Sequence, residues 1–209
     1  MKQRLIICIS REYGSGARLI SQKLGERLGI NVYDKVLLEK VSKEHDLSED
    51  AVVKVDEKPV GWFDMGFPRG IRNPYRDTYD ALYYVLNDKV FYLQAETIKK
   101  LAEEGSCIIV GRAADEVLKD DPDMVSIFFH AERADRIKRI MEYEKIDFQE
   151  ADRKIDKIDK SRQNYHDYYS SKKWGRCSTY NLSINTSVFD TDCIVEAILS
   201  LLDASCRNG

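Results

Sequence analysis

The chain opens with an apolar run that breaks into a glycine-bearing turn and then into a helical pattern. Residues 5–9 are apolar, the turn carries Gly14 and Gly16, and apolar residues then recur four apart from Ile20. The backbone N–H groups of such a turn and of the first helical turn have no intrahelical partners and carry partial positive charge. The order of strand, turn and helix therefore predicts a βα unit with a cradle for phosphate groups.

The turn departs from the phosphate-binding motif GxxxxGK(S/T). When Gly16 is aligned with the second glycine, Arg11 stands at the first glycine, Ala17 at the lysine and Arg18 at the hydroxyl residue that contacts Mg²⁺. The turn taken alone therefore leaves two interpretations open. It is either a phosphate site or an ordinary connection between a strand and a helix.

Length, charge and cysteine usage limit the class of protein. A chain of 209 residues fits one domain, and its net charge of -3 argues against a general binder of nucleic acid or anionic membranes. The apolar runs are too short to cross a bilayer and no signal peptide opens the chain, which favours a cytoplasmic protein. The five cysteines lack metal spacing, and the apolar runs around Cys8 and Cys107 predict buried thiols rather than disulfides.

The rest of the chain alternates strand and helix patterns, which predicts a three-layer α/β/α sandwich with a parallel sheet. In such sheets ligands bind outside the carboxyl ends of the strands, so the first turn and the later Gly111–Arg112 pair are expected to face one crevice.

Residues 59–74 hold three of the four prolines and predict a long loop. Strands are predicted at residues 30–33, 107–110, 123–130 and 180–185, and helices at residues 35–45, 79–104, 132–145, 148–169 and 191–204.

Two helical segments concentrate arginines. Arg133, Arg136 and Arg139 recur every three residues along one helical face, and Asp159 and Arg162 lie one turn apart on the next helix. A phosphoryl-transfer enzyme needs such cations because its transition state spreads negative charge over the transferring oxygens. The acidic residues between the arginines favour a second interpretation, a solvated helix with ion pairs.

An aromatic segment spans residues 162–174, with four aromatic or histidine side chains among residues 165–169 and Trp174 beyond them. These rings could stack a nucleotide base, but packing is the commoner role of aromatic residues at helical spacing. His166 and His130 have no serine or cysteine placed to form a catalytic triad, so structural hydrogen bonds are their expected role.

Six motifs in order carry a family resemblance: ISREYGSGAR, NVYDKVLLE, IIVGRAAD, ERADRIKR, DKSRQNYHDYY and YNLSINTS. Over nearly the whole chain they resemble the cytidylate kinase-like family of P-loop proteins. The resemblance implies the P-loop NTPase architecture of the nucleoside monophosphate kinases, in one domain of residues 1–209. It also implies an acceptor-binding insertion at about residues 35–95 and a lid at about residues 140–175.

The resemblance implies a kinase that transfers a phosphoryl group from ATP, with Mg²⁺, to a nucleoside monophosphate. CMP or dCMP is the first candidate, and no protein ligand for the metal is assigned. The donor phosphates are assigned to Arg11, Gly14, Ser15, Gly16, Ala17 and Arg18, the acceptor to Asp34, Lys35 and Arg112, and catalysis to Arg18, Arg133, Arg136, Asp159 and Arg162.

The chain also departs from this family pattern. Ordinary cytidylate kinases carry GSGKGT where this chain reads GSGARL, and an acid directly after the GR pair where it has Ala113. Arg11 or Arg18 is expected to replace the missing lysine, although an arginine fork does not reproduce a compact ammonium group. Two other functions stay open, a non-catalytic module that binds a nucleotide or phosphate and a kinase for another small molecule. Small nucleotides are the expected partners, and a homo-oligomer is compatible with the sequence.

Overall fold

The structure is a computed structural model and describes residues 4–34 and 76–203. Strands and helices alternate along these residues. The strands are β1 (Ile6–Arg11), β2 (Asn31–Tyr33), β3 (Cys107–Val110), β4 (Met124–His130) and β5 (Leu182–Asn185). The helices are α1 (Ala17–Leu28), α2 (Arg76–Glu104), α3 (Ala114–Val117), α4 (Arg133–Glu144), α5 (Phe148–Tyr169) and α6 (Thr191–Leu202), with a short 3₁₀ turn at Cys177–Thr179.

The five strands form one parallel sheet in the order β2-β3-β1-β4-β5. The first strand lies at its centre, where Ile7 is opposite Ile108 on one side and Val125 on the other. Because the strands are parallel, the loops that follow them leave from the same edge of the sheet. The predicted parallel α/β fold is confirmed.

Helices cover both faces of the sheet, which explains the unbroken apolar run of β1. Ile7 and Ile9 belong to an apolar cluster that includes buried residues of α1 and α6. Ile6 and Cys8 belong to a second cluster on the other face, together with residues of α2 and the region of α3. The core is therefore two apolar layers separated by the sheet, as the three-layer prediction requires.

The predicted element boundaries lie close to the observed ones. Helix α1 ends at Leu28 and is capped by Gly29, whose φ of 66° is the left-handed conformation predicted by a glycine at that position. Strand β5 begins two residues later than predicted, after Asn181, whose side chain accepts hydrogen bonds from Ser126 of β4. The predicted helix at residues 35–45, the loop at residues 59–74, Lys35 and most of the assigned insertion lie outside the described residues.

The cysteine prediction is confirmed for the described residues. Cys8 and Cys107 are buried, Cys177 and Cys193 are exposed, and none of the four forms a disulfide. No helix in the described part of the chain is long and apolar enough to cross a membrane.

Candidate active site

The turn between β1 and α1 requires its two glycines. Gly14 has a φ of 78° and Gly16 a φ of 80°, a left-handed conformation that other residues rarely adopt. A Cβ atom at Gly14 would also lie 2.9 Å from both the carbonyl oxygen of Arg136 and Cδ1 of Ile140. The turn therefore packs directly against helix α4.

Side chains from later in the chain bind the carbonyl groups of this turn. Three of the donors are arginines of α4 and α5, and the fourth is a threonine directly after β5. Arg162 Nη1 donates to the carbonyl oxygen of Arg11 at 3.1 Å, Arg136 Nε to Tyr13 at 2.7 Å, Arg139 Nη1 to Gly14 at 3.2 Å and Thr186 Oγ1 to Ser15 at 2.6 Å.

Several N–H groups at the junction of this turn with α1 have no partner in the described part of the chain. Within the described residues, nothing accepts a hydrogen bond from the backbone N–H of Gly14, Gly16, Ala17 or Arg18. The hydroxyl of Ser15 is buried and has no partner there either. Unpaired donors at the start of a 12-residue helix fit an anionic group such as phosphate.

A buried ion cluster lies beneath the turn. Arg136 is only 5% exposed and pairs with Asp159 and with Glu12, whose Oε2 lies 3.1 Å from Nη1. Asp159 accepts a hydrogen bond from Tyr13 N at 2.8 Å, and Glu12 accepts one from Ala131 N at 3.1 Å. The cluster therefore joins the turn to the end of β4, to α4 and to α5.

Arg133 is placed differently, although it is on the same helix. Its side chain is 46% exposed and pairs with Asp152 at 2.6 Å and Asp156 at 2.7 Å. Hydrogen bonds to Asp156 and Asp152 raise the pKa of Arg133 above its ordinary value. The structure thus brings Arg136, Asp159 and Arg162 to the turn and places Arg133 in surface ion pairs, whose carboxylates belong to α5 and not to the acidic residues between the arginines of α4.

The two candidates for replacing the lysine point in different directions. Arg18 is exposed, and its Nη1 donates to the hydroxyl of Tyr143 at 3.3 Å. Arg11 turns toward the end of β2, where Nη2 lies 3.9 Å from Asp34 Oδ1. Ala17, the first residue of α1, is buried in the apolar core between that helix and the sheet.

Asp34 and Arg112 meet at the carboxyl ends of β2 and β3. Arg112 Nη1 lies 3.1 Å from Asp34 Oδ1 and donates to the carbonyl oxygen of Val110 at 2.8 Å. Arg112 is 3% exposed and has a φ of 56°, so its backbone is held in a conformation that a non-glycine residue seldom adopts. With Arg11 nearby, two guanidinium groups flank one carboxylate.

The aromatic segment of α5 packs against α2. Tyr169 stacks on Phe91 with ring centroids 3.8 Å apart, and Tyr165 donates to Gln94 at 3.0 Å. His166 is buried with Asp115, and Nε2 lies 3.1 Å from Oδ2. These contacts match the packing and structural roles expected for the segment.

The metal-ligating residue types of the described chain are dispersed or engaged in ion pairs. The described residues contain no group of three or more His, Cys, Asp and Glu side chains that could hold a metal ion. The carboxylates near the turn, Glu12, Asp34 and Asp159, are all paired with arginines.

Sequence reasoning missed two contacts of the turn. Thr186 is not among the residues assigned from the motifs, and Arg139 was noted only for its spacing. Their signal is weak because Thr186 is separated from Ser15 by 171 positions in the chain. The only local hint is a hydroxyl residue directly after a strand that ends at the same sheet edge.

The parallel sheet, with a glycine turn after its central strand, defines the fold of the P-loop kinases. Shikimate kinases from Bacteroides thetaiotaomicron and Aquifex aeolicus share this fold, with TM-scores of 0.54 and 0.52 at 11% and 18% sequence identity. The matches cover 96% and 98% of this chain and 99% and 100% of those chains.

The chain belongs to the cytidylate kinase-like family, whose sequence model matches residues 6–188. An uncharacterized protein from Eubacterium ventriosum ATCC 27560, known from its crystal structure, is 30% identical, with a TM-score of 0.72 over 96% of this chain and 99% of that chain. No protein with a curated description matches the chain. Membership of the family supports phosphoryl transfer as the general class of activity.

Proposed function

We propose that the protein transfers the γ-phosphoryl group of ATP to a nucleoside monophosphate, with CMP or dCMP as the first candidates. The observation that carries this proposal is the turn at Gly14–Gly16: side chains bind the carbonyl groups of Gly14 and Ser15, while the N–H groups of Gly14 and Gly16 have no partner in the described residues. Small nucleotides are the proposed partners, and the cytoplasm is the proposed location.

The donor phosphates would bind at Gly14–Arg18, through the N–H groups of Gly14, Gly16, Ala17 and Arg18. The buried hydroxyl of Ser15 would supply a further donor to the phosphate oxygens. Such donors are fixed before the ligand arrives, so they need little reorganisation to stabilise the charge of the transferring group. When bound with the nucleotide, Mg²⁺ would neutralise part of the phosphate charge.

The acceptor would bind at the ends of β1, β2 and β3. Arg11 and Arg112 flank Asp34 there, so two guanidinium groups lie where an anionic acceptor would bind. A phosphate monoester meets guanidinium groups through two parallel hydrogen bonds. In-line transfer between two bound nucleotides requires no nucleophile from the protein.

The helices α4 and α5 would act as the lid. Arg136 of α4 and Arg162 of α5 now bind backbone carbonyl groups beside the glycine turn, so both helices would have to move to bring these guanidinium groups toward bound phosphates. Arg133 would have to leave Asp152 and Asp156 to join them. Closure would also exclude water and so limit hydrolysis of ATP.

Ala17 favours a second candidate, a module that binds a nucleotide or phosphate without catalysis. The ordinary lysine of a P-loop bridges the phosphates that separate during transfer, whereas a methyl group cannot. Binding through backbone N–H groups does not need that lysine, so the site could bind without turnover.

Product formation tests the proposal. The purified protein is incubated with ATP and Mg²⁺ and with each nucleoside monophosphate in turn, followed by small alcohols of other classes, and the products are separated by chromatography.

A variant tests the acceptor side. Arg112→Met should raise the KM for the acceptor and leave ATP affinity unchanged. Lys23→Met, which removes only a surface pair with Asp192, serves as the matched control. Binding of ATP without any product would favour the non-catalytic module.

A further inference from the structure

Side chains hold the peptide groups of the turn through hydrogen bonds to their carbonyl oxygens. In a trans peptide the C=O of one residue and the N–H of the next point in opposite directions. The described residues contain no cis peptide bond. A side chain that binds the carbonyl oxygen therefore also directs the following N–H to the opposite side of the turn.

Thr186 holds the peptide between Ser15 and Gly16 in this way. Its hydroxyl lies 2.6 Å from the carbonyl oxygen of Ser15 and 3.3 Å from that of His130. A hydroxyl donates one proton, and the shorter distance assigns that proton to Ser15. The N–H of Gly16 then points away from Thr186, which is 6% exposed and lies behind the turn.

Arg139 fixes Thr186 in turn. Its Nη1 donates to the hydroxyl oxygen of Thr186 at 3.3 Å and to the carbonyl oxygen of Gly14 at 3.2 Å. Its Nη2 donates to the carbonyl oxygen of Thr186 at 3.1 Å. The oxygen of the Thr186 hydroxyl accepts a hydrogen bond from Arg139. The proton of the same hydroxyl is therefore directed to the carbonyl oxygen of Ser15.

We propose that Thr186 is a positioning residue of the donor site, where it directs the N–H of Gly16 toward the donor phosphates through the Ser15–Gly16 peptide. This inference rests on the proposed function. It has particular weight in this chain because Ala17 provides no charge of its own, so the site depends on correctly directed backbone donors. Neither the family match nor the structural relatives assign Thr186 a role.

Paired threonine variants test the inference. Thr186→Val removes the hydroxyl at nearly constant volume, and Thr186→Ser restores it. Thr179→Val is the matched control, because Thr179 is 8% exposed and its hydroxyl donates to the carbonyl oxygen of Lys173 at 2.7 Å, away from the turn. Binding of ADP and of inorganic tripolyphosphate is measured by calorimetry, and thermal unfolding of each variant is recorded.

We expect Thr186→Val to weaken binding of both ligands about tenfold, which corresponds to the loss of one well-placed donor. Thr186→Ser should bind within about twofold of the parent, as should Thr179→Val. Both valine variants should lose thermal stability, and Thr186→Val should lose at least as much because its hydroxyl also accepts a hydrogen bond from Arg139, so a loss of stability alone identifies no positioning role. Only the binding constants should therefore separate the positioning role from a general structural one.

The outcomes separate the two proposals. A parent protein that binds neither ADP nor tripolyphosphate would overturn the donor site and this inference together. If the parent binds and Thr186→Val binds equally well, or Thr179→Val loses as much, the inference fails while the proposed function stands. Should Thr186→Val not fold, Arg139→Lys replaces it, because it keeps the charge and loses the fork; unchanged affinity in that variant would also overturn the inference.

Discussion

Arg136 donates from Nε to the carbonyl oxygen of Tyr13 at 2.7 Å. The same guanidinium group pairs with Glu12 and Asp159, so one buried side chain of α4 binds the turn and neutralises two carboxylates. Arg133 also binds two carboxylates, but at the surface. Comparing these two arginines therefore tests how burial changes the contribution of an ion pair to stability within a single helix.

We predict that Arg136→Met destabilises the protein by about 3 kcal/mol, because it leaves Glu12 and Asp159 without their buried cation. Arg133→Met should cost less than about 1 kcal/mol, since its ion pairs are exposed and screened by water. Urea unfolding of both variants measures the difference. Equal losses would contradict the argument from burial.

A second prediction concerns two glycines with a left-handed backbone, Gly14 in the turn before α1 and Gly29 at the end of that helix. Gly29→Ala should cost about 1 kcal/mol, because its φ of 66° is unfavourable but nothing lies within 4 Å of an added Cβ. Gly14→Ala should cost about 1 to 3 kcal/mol more, since its Cβ would meet Arg136 and Ile140. Thermal unfolding compares the two variants. A Gly14→Ala protein as stable as Gly29→Ala would mean that α4 can move away from the turn.

The cysteines should differ in reactivity. Burial raises the pKa of Cys107 to about 11 and that of Cys8 well above its ordinary value. Both thiols should therefore resist iodoacetamide at about pH 8, whereas the exposed Cys177 and Cys193 react. Mass spectrometry of the native protein before and after unfolding locates the label. Rapid labelling of Cys8 in the native protein would show that the sheet opens readily.

Glu144 should contribute a pH-dependent stability. Burial opposes its ionisation, but hydrogen bonds from Lys154 and Tyr13 lower the pKa of Glu144 below 4.5, its ordinary value. Its contribution is complete above about pH 4.5 and is lost as the pH falls through the lower folded-state value. The stability difference between the parent and Glu144→Gln should therefore shrink on acidification. A difference independent of pH in urea unfolding would show that ionisation of Glu144 plays no part.

Arg11 and Arg18 should also differ. Arg11 lies beside Asp34 on the proposed acceptor side, and Arg18 lies on the surface against Tyr143. We expect Arg11→Ala to lower turnover at least about tenfold, the usual effect of losing a charge-assisted contact, and Arg18→Ala to change it much less. Steady-state kinetics on both variants measures the difference. A larger loss for Arg18→Ala would identify it as the substitute for the lysine.

Local patterns predicted the fold well because its main determinants are local. The apolar run of β1, the stripe from Ile20 and the glycine at position 29 each specify one element and its end. The same patterns also placed the turn at the carboxyl edge of a parallel sheet. The likeness of the six motifs then identified the family, which local patterns alone do not define.

The contacts within the site could not be predicted in the same way. Helical spacing shows that Arg133, Arg136 and Arg139 share a face, but not that one faces solvent and two face the turn. That difference depends on the packing of α4 against α5 through Ile137, Ile140, Ala151 and Ile155, which excludes water from the inner side only. The direction of Arg11 likewise depends on Asp34 of a neighbouring element.

The central position of β1 in the sheet has a consequence for synthesis of the chain. Its two neighbours, β3 and β4, follow it by about a hundred residues, and the threonine that fastens the adjoining turn comes later still. An emerging chain therefore carries this buried strand without either neighbour until about half of the protein has been made. The turn at the end of that strand is then among the last described parts of the protein to acquire all its contacts.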